Sequence, residues 1–414
     1  MGPQTPADQA TDQAARRLLL DVFQAALARV EGVAAVTAAL TESCPSQAAV
    51  LALGKAADAM AKGAEARLGA GLWRGLIVTK YGHGDPVHWR NTQLRYLESA
   101  HPVPDAASLA AGQMVMAFLA ALPDGMPLIC LISGGASALV ELPRPGIDLA
   151  LLQRANSWLL GSGLDIHQIN RVRQALSRIK GGGLLRELDD RQVLALYISD
   201  VAGDDPAVIG SGLLGPAPDV ALPSGLPDWL AAALQPSEPV VERCAIERRI
   251  IASLDHALDA AVAEGQRQGV AVHRADQPLH GDAVTMAHDI VQALRNGPPG
   301  LYLWGGETTV SLPAHPGRGG RNQQLALAAA LELAGDDELW LLSAGTDGSD
   351  GPTADAGALV DGGTVARGAL HGFDAADCLA RADAGSLLDA SGDLIDTGPT
   401  GTNVTDLVIA YKQP

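Results

Sequence analysis

The stretch "AAVLALGKAADAMAKGAEARL", residues 48–68, decides how this chain is read. Residues 48–53 are apolar without a break, which suits a strand covered on both faces better than one with a wet side. Gly54 opens a turn, and 55–68 is an Ala-rich amphipathic stretch that reads as a helix. Strand, glycine turn and helix together form one βα unit.

The unit recurs along the chain. Strands are expected at 75–80, 127–132, 192–198, 270–275, 300–304, 337–342 and 406–411, and helices at 104–122, 165–180, 281–295 and 320–334. The fold class is therefore α/β, with mostly parallel sheets flanked by helices. A helix with Leu19, Val22, Phe23, Ala26, Leu27 and Val30 on one stripe comes before the first strand. Between about 215 and 240, "GPAPDVALPSGLPDWLAAALQPSEP" is proline-rich and has no strand periodicity. It marks the approach to a domain boundary, with 250–268 as the first helix of a second domain or a connector.

The chain's 414 residues are too many for one ordinary core. Hydrophobic residues make up 47% but aromatics only 3%, so aliphatic side chains must fill the cores. Its 29 basic and 47 acidic residues leave a formal charge of −18, which argues against nucleic acid or an anionic membrane as partner. An anionic ligand would have to be drawn in by the few cations at strand ends. Cys44, Cys130, Cys244 and Cys378 lack metal or disulfide spacing and suit a reducing cytoplasm. No run of about 20 apolar residues suggests a membrane span.

In open α/β sheets, ligands gather beyond the carboxyl ends of strands. Lys55 follows the first strand, where a cation opposes the dipole of the helix it precedes and so suggests an anion site. Gly54, Ala56 and Ala59 loosely imitate a dinucleotide turn. The next strand, however, ends in Thr79-Lys80 rather than the acid a ribose would need. "SGGASAL" supplies Ser133, Gly134, Gly135 and Ser137 as an anion nest without the spacing of a nucleophile elbow. "NRVRQALSRIKGGGLL" carries Arg171, Arg178 and Lys180, as a solvated basic helix or the lining of an anion's approach. "GGETTV" supplies Gly305, Gly306 and Glu307. "GRGGRNQQ" brings Arg318 and Arg321 to a helix start, suited to bidentate contact with phosphate or carboxylate.

"LLSAGTDGSDGPTADAGALVD", residues 341–361, holds Asp347, Asp350, Asp355 and Asp361. Its spacing fails as a calcium loop, because Asp347 and Asp350 are three apart and no distal Glu follows. A magnesium site built from a few carboxylates, waters and phosphates remains, against an ordinary solvated turn. Carboxylates, cations and glycine nests together are what phosphoryl transfer needs.

These stretches, with "YISDVAGDDPAVIGSG" (197–212) and "TGPTGTNVTDLVIAY" (397–411), resemble the glycerate 2-kinases of the MOFRL family, some of whose members carry the label hydroxypyruvate reductase. The resemblance runs from near residue 50 to the C-terminus. It implies a Rossmann-like N-terminal domain, 1–240, and a smaller MOFRL-type domain, 241–414. It also implies ATP- and Mg²⁺-dependent phosphorylation of D-glycerate at its 2-hydroxyl. Lys55 and Arg321 look like the family's active-site lysine and arginine, and Asp200 and Glu307 fall in its site loops. Asn322, Thr346, Thr402 and Asn403 join the substrate and nucleotide contacts, with Asp347 and Asp350 at the metal. The implied partners are D-glycerate and ATP, with no nucleic acid or membrane, and a homodimer stays open. Ala136 stands where the pattern has another glycine. Two rival readings are an NAD(P)H-dependent hydroxypyruvate reductase and a non-catalytic sugar-acid binding protein.

Overall fold

β1 (Ala48–Leu53) is buried at all of its positions, as its unbroken apolar run requires. It lies in a computed structural model that describes residues 6–42, 44–215, 221–234, 240 and 242–414. β2 (Leu72–Lys80), β3 (Leu94–Ser99), β4 (Leu128–Ser133), β5 (Gln192–Ile198) and β6 (Ala245–Ala252) complete its sheet in the order β3-β2-β1-β4-β5-β6. Every neighbouring pair in that sheet is parallel. The chain winds outward from β1 to β3, then returns to lay β4 on the other side of β1. The carboxyl ends of β1 and β4 therefore flank the point where strand order reverses, which is where doubly wound sheets open a crevice for ligands.

The two edge strands were not legible from periodicity. β3, "LRYLES", and β6, "AIERRIIA", carry charged residues and are only partly buried, as edge strands often are. Residues 250–252 end β6, so the expected helix over 250–268 begins only at Leu254 and runs to Arg267.

The second sheet contains β7 (Val272–Arg274), β8 (Gly300–Gly306), β9 (Leu339–Gly345), β10 (Gly357–Asp361), β11 (Leu394–Ile395) and β12 (Asp406–Lys412), in the order β11-β10-β9-β12-β8-β7. Here the parallel expectation needs correction. β7 and β8 are parallel, but β12 is antiparallel to both β8 and β9, and β10 is antiparallel to β9. The reason is topological: β12 enters between two strands that already point the same way and runs back along both. Its first residue, Asp406, is level with Gly306 and Gly345 at the carboxyl ends of β8 and β9.

The chain divides into two compact units. The first holds residues 31–253 and 401–403, and the second holds 6–30, 254–400 and 404–414. The expected boundary at 240/241 thus differs from the observed division in three ways. The change of unit falls after Ser253, because β6 still belongs to the first sheet, residues 401–403 return to the first unit, and helix Pro6–Val30 packs with the second unit against helix Leu254–Arg267. Leu19, Val22, Phe23, Ala26 and Val30 of its stripe are buried, and Leu27 is half-buried. Residues 216–220, 235–239 and 241, within or beside the proline-rich stretch, lie outside the described residues, as do 1–5 and 43. The first core gathers Leu51, Leu53, Ile132, Leu139 and Tyr197 around the parallel sheet. The second gathers Leu325, Leu327, Leu341, Leu387 and Val408. Among the described residues no helix is long and apolar enough to cross a membrane, and all four cysteines are free thiols.

Candidate active site

In the first unit, the turn after β1 is locked to the end of β4. The Lys55 N–H donates to the Gly134 carbonyl at 2.9 Å, and the Ala56 N–H donates to Ser133 Oγ at 3.0 Å. Thr79, at the end of β2, donates its hydroxyl to the Lys55 carbonyl at 3.2 Å. Gly54 sits at φ +130°, and a methyl group on it would lie 2.1 Å from Ser133 Oγ. Only glycine allows so close an approach of two strand ends. The Ser133 hydroxyl, expected in an anion nest, is thus committed to holding the turn.

Gly134 and Gly135 carry the nest itself. A Cβ on Gly134 would lie 1.8 Å from Asp200 Oδ2 and 2.4 Å from Asn403 Nδ2, so this glycine exists to let a carboxylate and an amide close over the backbone. Asn403 Nδ2 donates to Asp200 Oδ2 at 2.9 Å. Gly135, left-handed at φ +82°, would meet the Lys55 and His101 side chains at 3.1 Å. The switch point therefore brings Lys55, Gly134, Gly135, Asp200 and Asn403 together from loops far apart in sequence, with His101 beside them. Thr402, beside Asn403, is buried.

In the basic stretch at 170–180 Arg178 is exposed and Arg171 half-buried, but Lys180 differs from either expectation. The helix stops at Leu176, and Lys180 lies beyond it, inside the protein and ion-paired with Glu141; both side chains are at most 3% exposed. Burial pushes the Lys180 pKa down, with Glu141 opposing that shift. Lys180 therefore holds the interior and does not line an anion's approach.

In the second unit, the centre is Arg321, the first residue of helix Arg321–Leu333. Its Nε and one terminal nitrogen donate to the two oxygens of Asp406 at 2.5 and 2.9 Å, and that nitrogen also reaches Glu307 Oε1 at 2.9 Å. Burial works against the guanidinium charge, but Asp406 and then Glu307 outweigh it and hold the pKa above its ordinary value. Asp406 follows from the antiparallel insertion of β12, whose amino end meets the carboxyl ends of its neighbours. A Cβ on Gly345 would lie 3.5 Å from Asp406 Oδ1 and 3.6 Å from Asp347 Oδ1, so both carboxylates flank the end of β9.

Asp350 is not an open metal ligand. Its Oδ1 accepts from the Asn322 N–H at 3.1 Å and its Oδ2 from the Gln323 N–H at 2.8 Å, so it caps the helix that Arg321 begins. Burial pushes its pKa up to about 7, with the two helix amides pulling against it. Asp347 Oδ1 accepts from the Ser349 N–H and hydroxyl, both at 3.0 Å. Among the described residues no group of three or more His, Cys, Asp or Glu is assembled as a metal cage.

Several other expected contacts prove structural. A Cβ on Gly305 would strike the Leu254 side chain at 2.4 Å, and one on Gly306 the Leu279 backbone at 2.5 Å, so packing accounts for both glycines. Thr346 donates its N–H and hydroxyl to the Thr405 carbonyl at 3.0 and 2.6 Å. Asn322 is buried between Asp350 and the Ser343 hydroxyl. Arg318 pairs with Asp355 and Asp389.

Comparison with known proteins places the chain in a family. Residues 300–406 match the MOFRL family, and residues 18–221 match a domain family of unknown function, DUF4147. The D-glycerate 2-kinase of Thermotoga maritima is 34% identical over 95% of this chain and 97% of its own length. This chain belongs to the MOFRL family. The glycerate 2-kinase of Pyrococcus horikoshii is 35% identical over 87% of this chain and 86% of its own. A protein of Agrobacterium vitis bearing the name hydroxypyruvate reductase is 36% identical over 96% and 94%. The crystal structure of the Thermotoga maritima glycerate kinase superposes with a TM-score of 0.82 at 32% identity, covering 97% of this chain and all of that one. The MOFRL match spans β8 to Asp406, and so encloses Glu307, Arg321, Asp347 and Asp350. Sequence reasoning missed Asp406 because it opens a strand, whereas ligand residues were sought only after strands. It missed His101 because "SAHPVPD" has neither glycine nest nor charge cluster.

Proposed function

We propose that this chain transfers the γ-phosphoryl group of ATP to the 2-hydroxyl of D-glycerate. What carries the reading is the switch point of the first unit, where Asp200 lies against Gly134 and Lys55 against Gly135 in a chain of MOFRL membership. Lys55 supplies positive charge against the phosphoryl oxygens, where little covalent chemistry is asked of the protein and charge placement does most of the work. Asp200 is the better of the two expected carboxylates for orienting the attacking hydroxyl and taking its proton. It stands against the Gly134 backbone at the switch point, whereas Glu307 is tied to Arg321 in the second unit. In the second unit Arg321, locked by Asp406, offers a fixed positive charge.

Magnesium suits the donors present to a limited extent. Hard oxygen ligands are required, and one or two carboxylates with waters and phosphates suffice. Asp347 would hold the ion, while Asp350 fixes the helix that presents Arg321. A magnesium held there would supply charge neutralisation for the phosphate. The reductase name among the relatives finds no support in the ribose position, because β2 ends at Lys80. With its thiols all free, the chain is assigned to a reducing cytoplasm.

Incubation with ATP, Mg²⁺ and D-glycerate followed by phosphorus NMR tests the reading. 2-Phosphoglycerate is the expected product. NADH oxidation with hydroxypyruvate and no phosphoryl product would replace this function with the reductase one.

A further inference from the structure

Ser137 is the second residue of the short helix Ala136–Leu139 that follows the nest. Its hydroxyl oxygen is 2.7 Å from Ser211 Oγ, and geometry alone leaves the direction of that bond open. The surroundings settle it. Asn170 Nδ2 donates to the Val208 carbonyl at 3.1 Å, which fixes the amide so that its Oδ1 faces Ser211. Ser211 must therefore donate, and does so at 2.7 Å. A hydroxyl has one proton to give. With the Ser211 proton spent on Asn170, Ser137 has to be the donor to Ser211, and its own proton is spent too.

The consequence bears on what Ser137 can bind. It is half-buried, and among the described residues no group donates to its oxygen, so that oxygen faces a ligand with lone pairs only. Lone pairs repel a phosphate or carboxylate oxygen and attract an O–H. Ser211 itself occupies a left-handed conformation, φ +59°, between Gly210 and Gly212, which are also left-handed. A third glycine would fit that backbone without strain. The serine is explained by its hydroxyl, which relays the constraint from buried Asn170 to Ser137.

We infer that Ser137 accepts a hydrogen bond from a neutral ligand hydroxyl and selects for ligands that possess one, with Ser211 and Asn170 as positioning residues that deny it a proton. This rests on the kinase reading above. Two hydroxyl sources are available there: the unreacted hydroxyl of the acid substrate and the ribose of the nucleotide.

The test compares wild type, Ser137→Ala, Ser137→Thr and Ser211→Gly in the full chain. Rates with D-glycerate are set against inhibition by D-lactate, which lacks the second hydroxyl, and ATP is set against 2′-deoxy-ATP and 3′-deoxy-ATP. Loss of one neutral hydrogen bond predicts about a tenfold fall in kcat/KM for Ser137→Ala, partly rescued by threonine. The lactate inhibition constant, or else the deoxynucleotide efficiency, should stay within about twofold. Ser211→Gly keeps the backbone, frees the Ser137 proton, and should reduce the same discrimination. An equal loss for ligands with and without the hydroxyl, or no loss at all, overturns the inference while leaving the kinase reading intact. A wild-type chain that makes no phosphoglycerate defeats the kinase reading instead. Isothermal titration of D-glycerate and D-lactate into wild type and Ser137→Ala then decides the hydroxyl question by the same criterion.

Discussion

Replacing Lys180 with methionine tests whether the basic stretch near residue 175 serves the interior or a ligand. The Lys180 and Glu141 side chains are 1% and 3% exposed, so the carboxylate left behind would be charged and cut off from water. Breaking such a pair from one side costs about 3–5 kcal/mol. Arg173, half-buried and within electrostatic reach of Glu141, retains some compensating charge, which places the expectation near 3 kcal/mol. For units of this size each kcal/mol moves Tm by roughly 2–4 °C, so a fall of about 10 °C is expected. The double variant Lys180→Met/Glu141→Gln should recover most of it. The glutamine oxygen can still accept from the Ser177 hydroxyl and the Leu142 N–H, which Glu141 now receives at 2.6 and 2.9 Å. Calorimetry and urea titration measure both, alongside glycerate phosphorylation at 25 °C. A single variant within about 1 kcal/mol of wild type, or a double variant no better than the single, would refute the burial argument. Lost activity with unchanged stability would return Lys180 to the role of anion guide.

Two further predictions concern the second unit. Arg321→Ala should lower turnover by about 10²–10³ if its charge counts in the transition state; an unchanged rate in a folded variant removes that role. Asp350, with its pKa pushed up to about 7 by burial, holds its proton more tightly folded than unfolded, so its contribution to stability is full below pH 4 and is lost as pH rises toward 7. Urea midpoints of the metal-free protein between pH 4 and 8 should show this decline in wild type and a flatter profile in Asp350→Asn. Parallel profiles contradict it.

How much of this was legible in the sequence depends on where each residue sits. β1 and β5 were read with their observed bounds, because central strands are apolar on both faces. β3 and β6 were missed because edges tolerate Arg95, Glu247 and Arg248. The Lys55, Gly134, Gly135 and Asp200 gathering could be anticipated from the rule that ligands lie beyond strand ends, and it needed no knowledge of strand order. The partners of those residues could not be anticipated. That Gly305 yields to Leu254, that Asp350 spends its oxygens on helix amides, and that Asp406 grips Arg321 through the placement of β12 are contacts between segments tens of residues apart, which no local pattern encodes.

That placement also constrains the order of assembly. The second unit draws on residues 6–30, waits through the whole of 31–253, and receives its central strand only from 406–412. While the ribosome is still at work, β8 and β9 are made but lack the neighbour that joins them, and their apolar edges stay open. The first unit by then lacks only residues 401–403. A nascent chain of this protein should therefore carry one nearly finished unit and one that cannot close until residues 406–412 have emerged, and the danger of misassembly is concentrated in the latter.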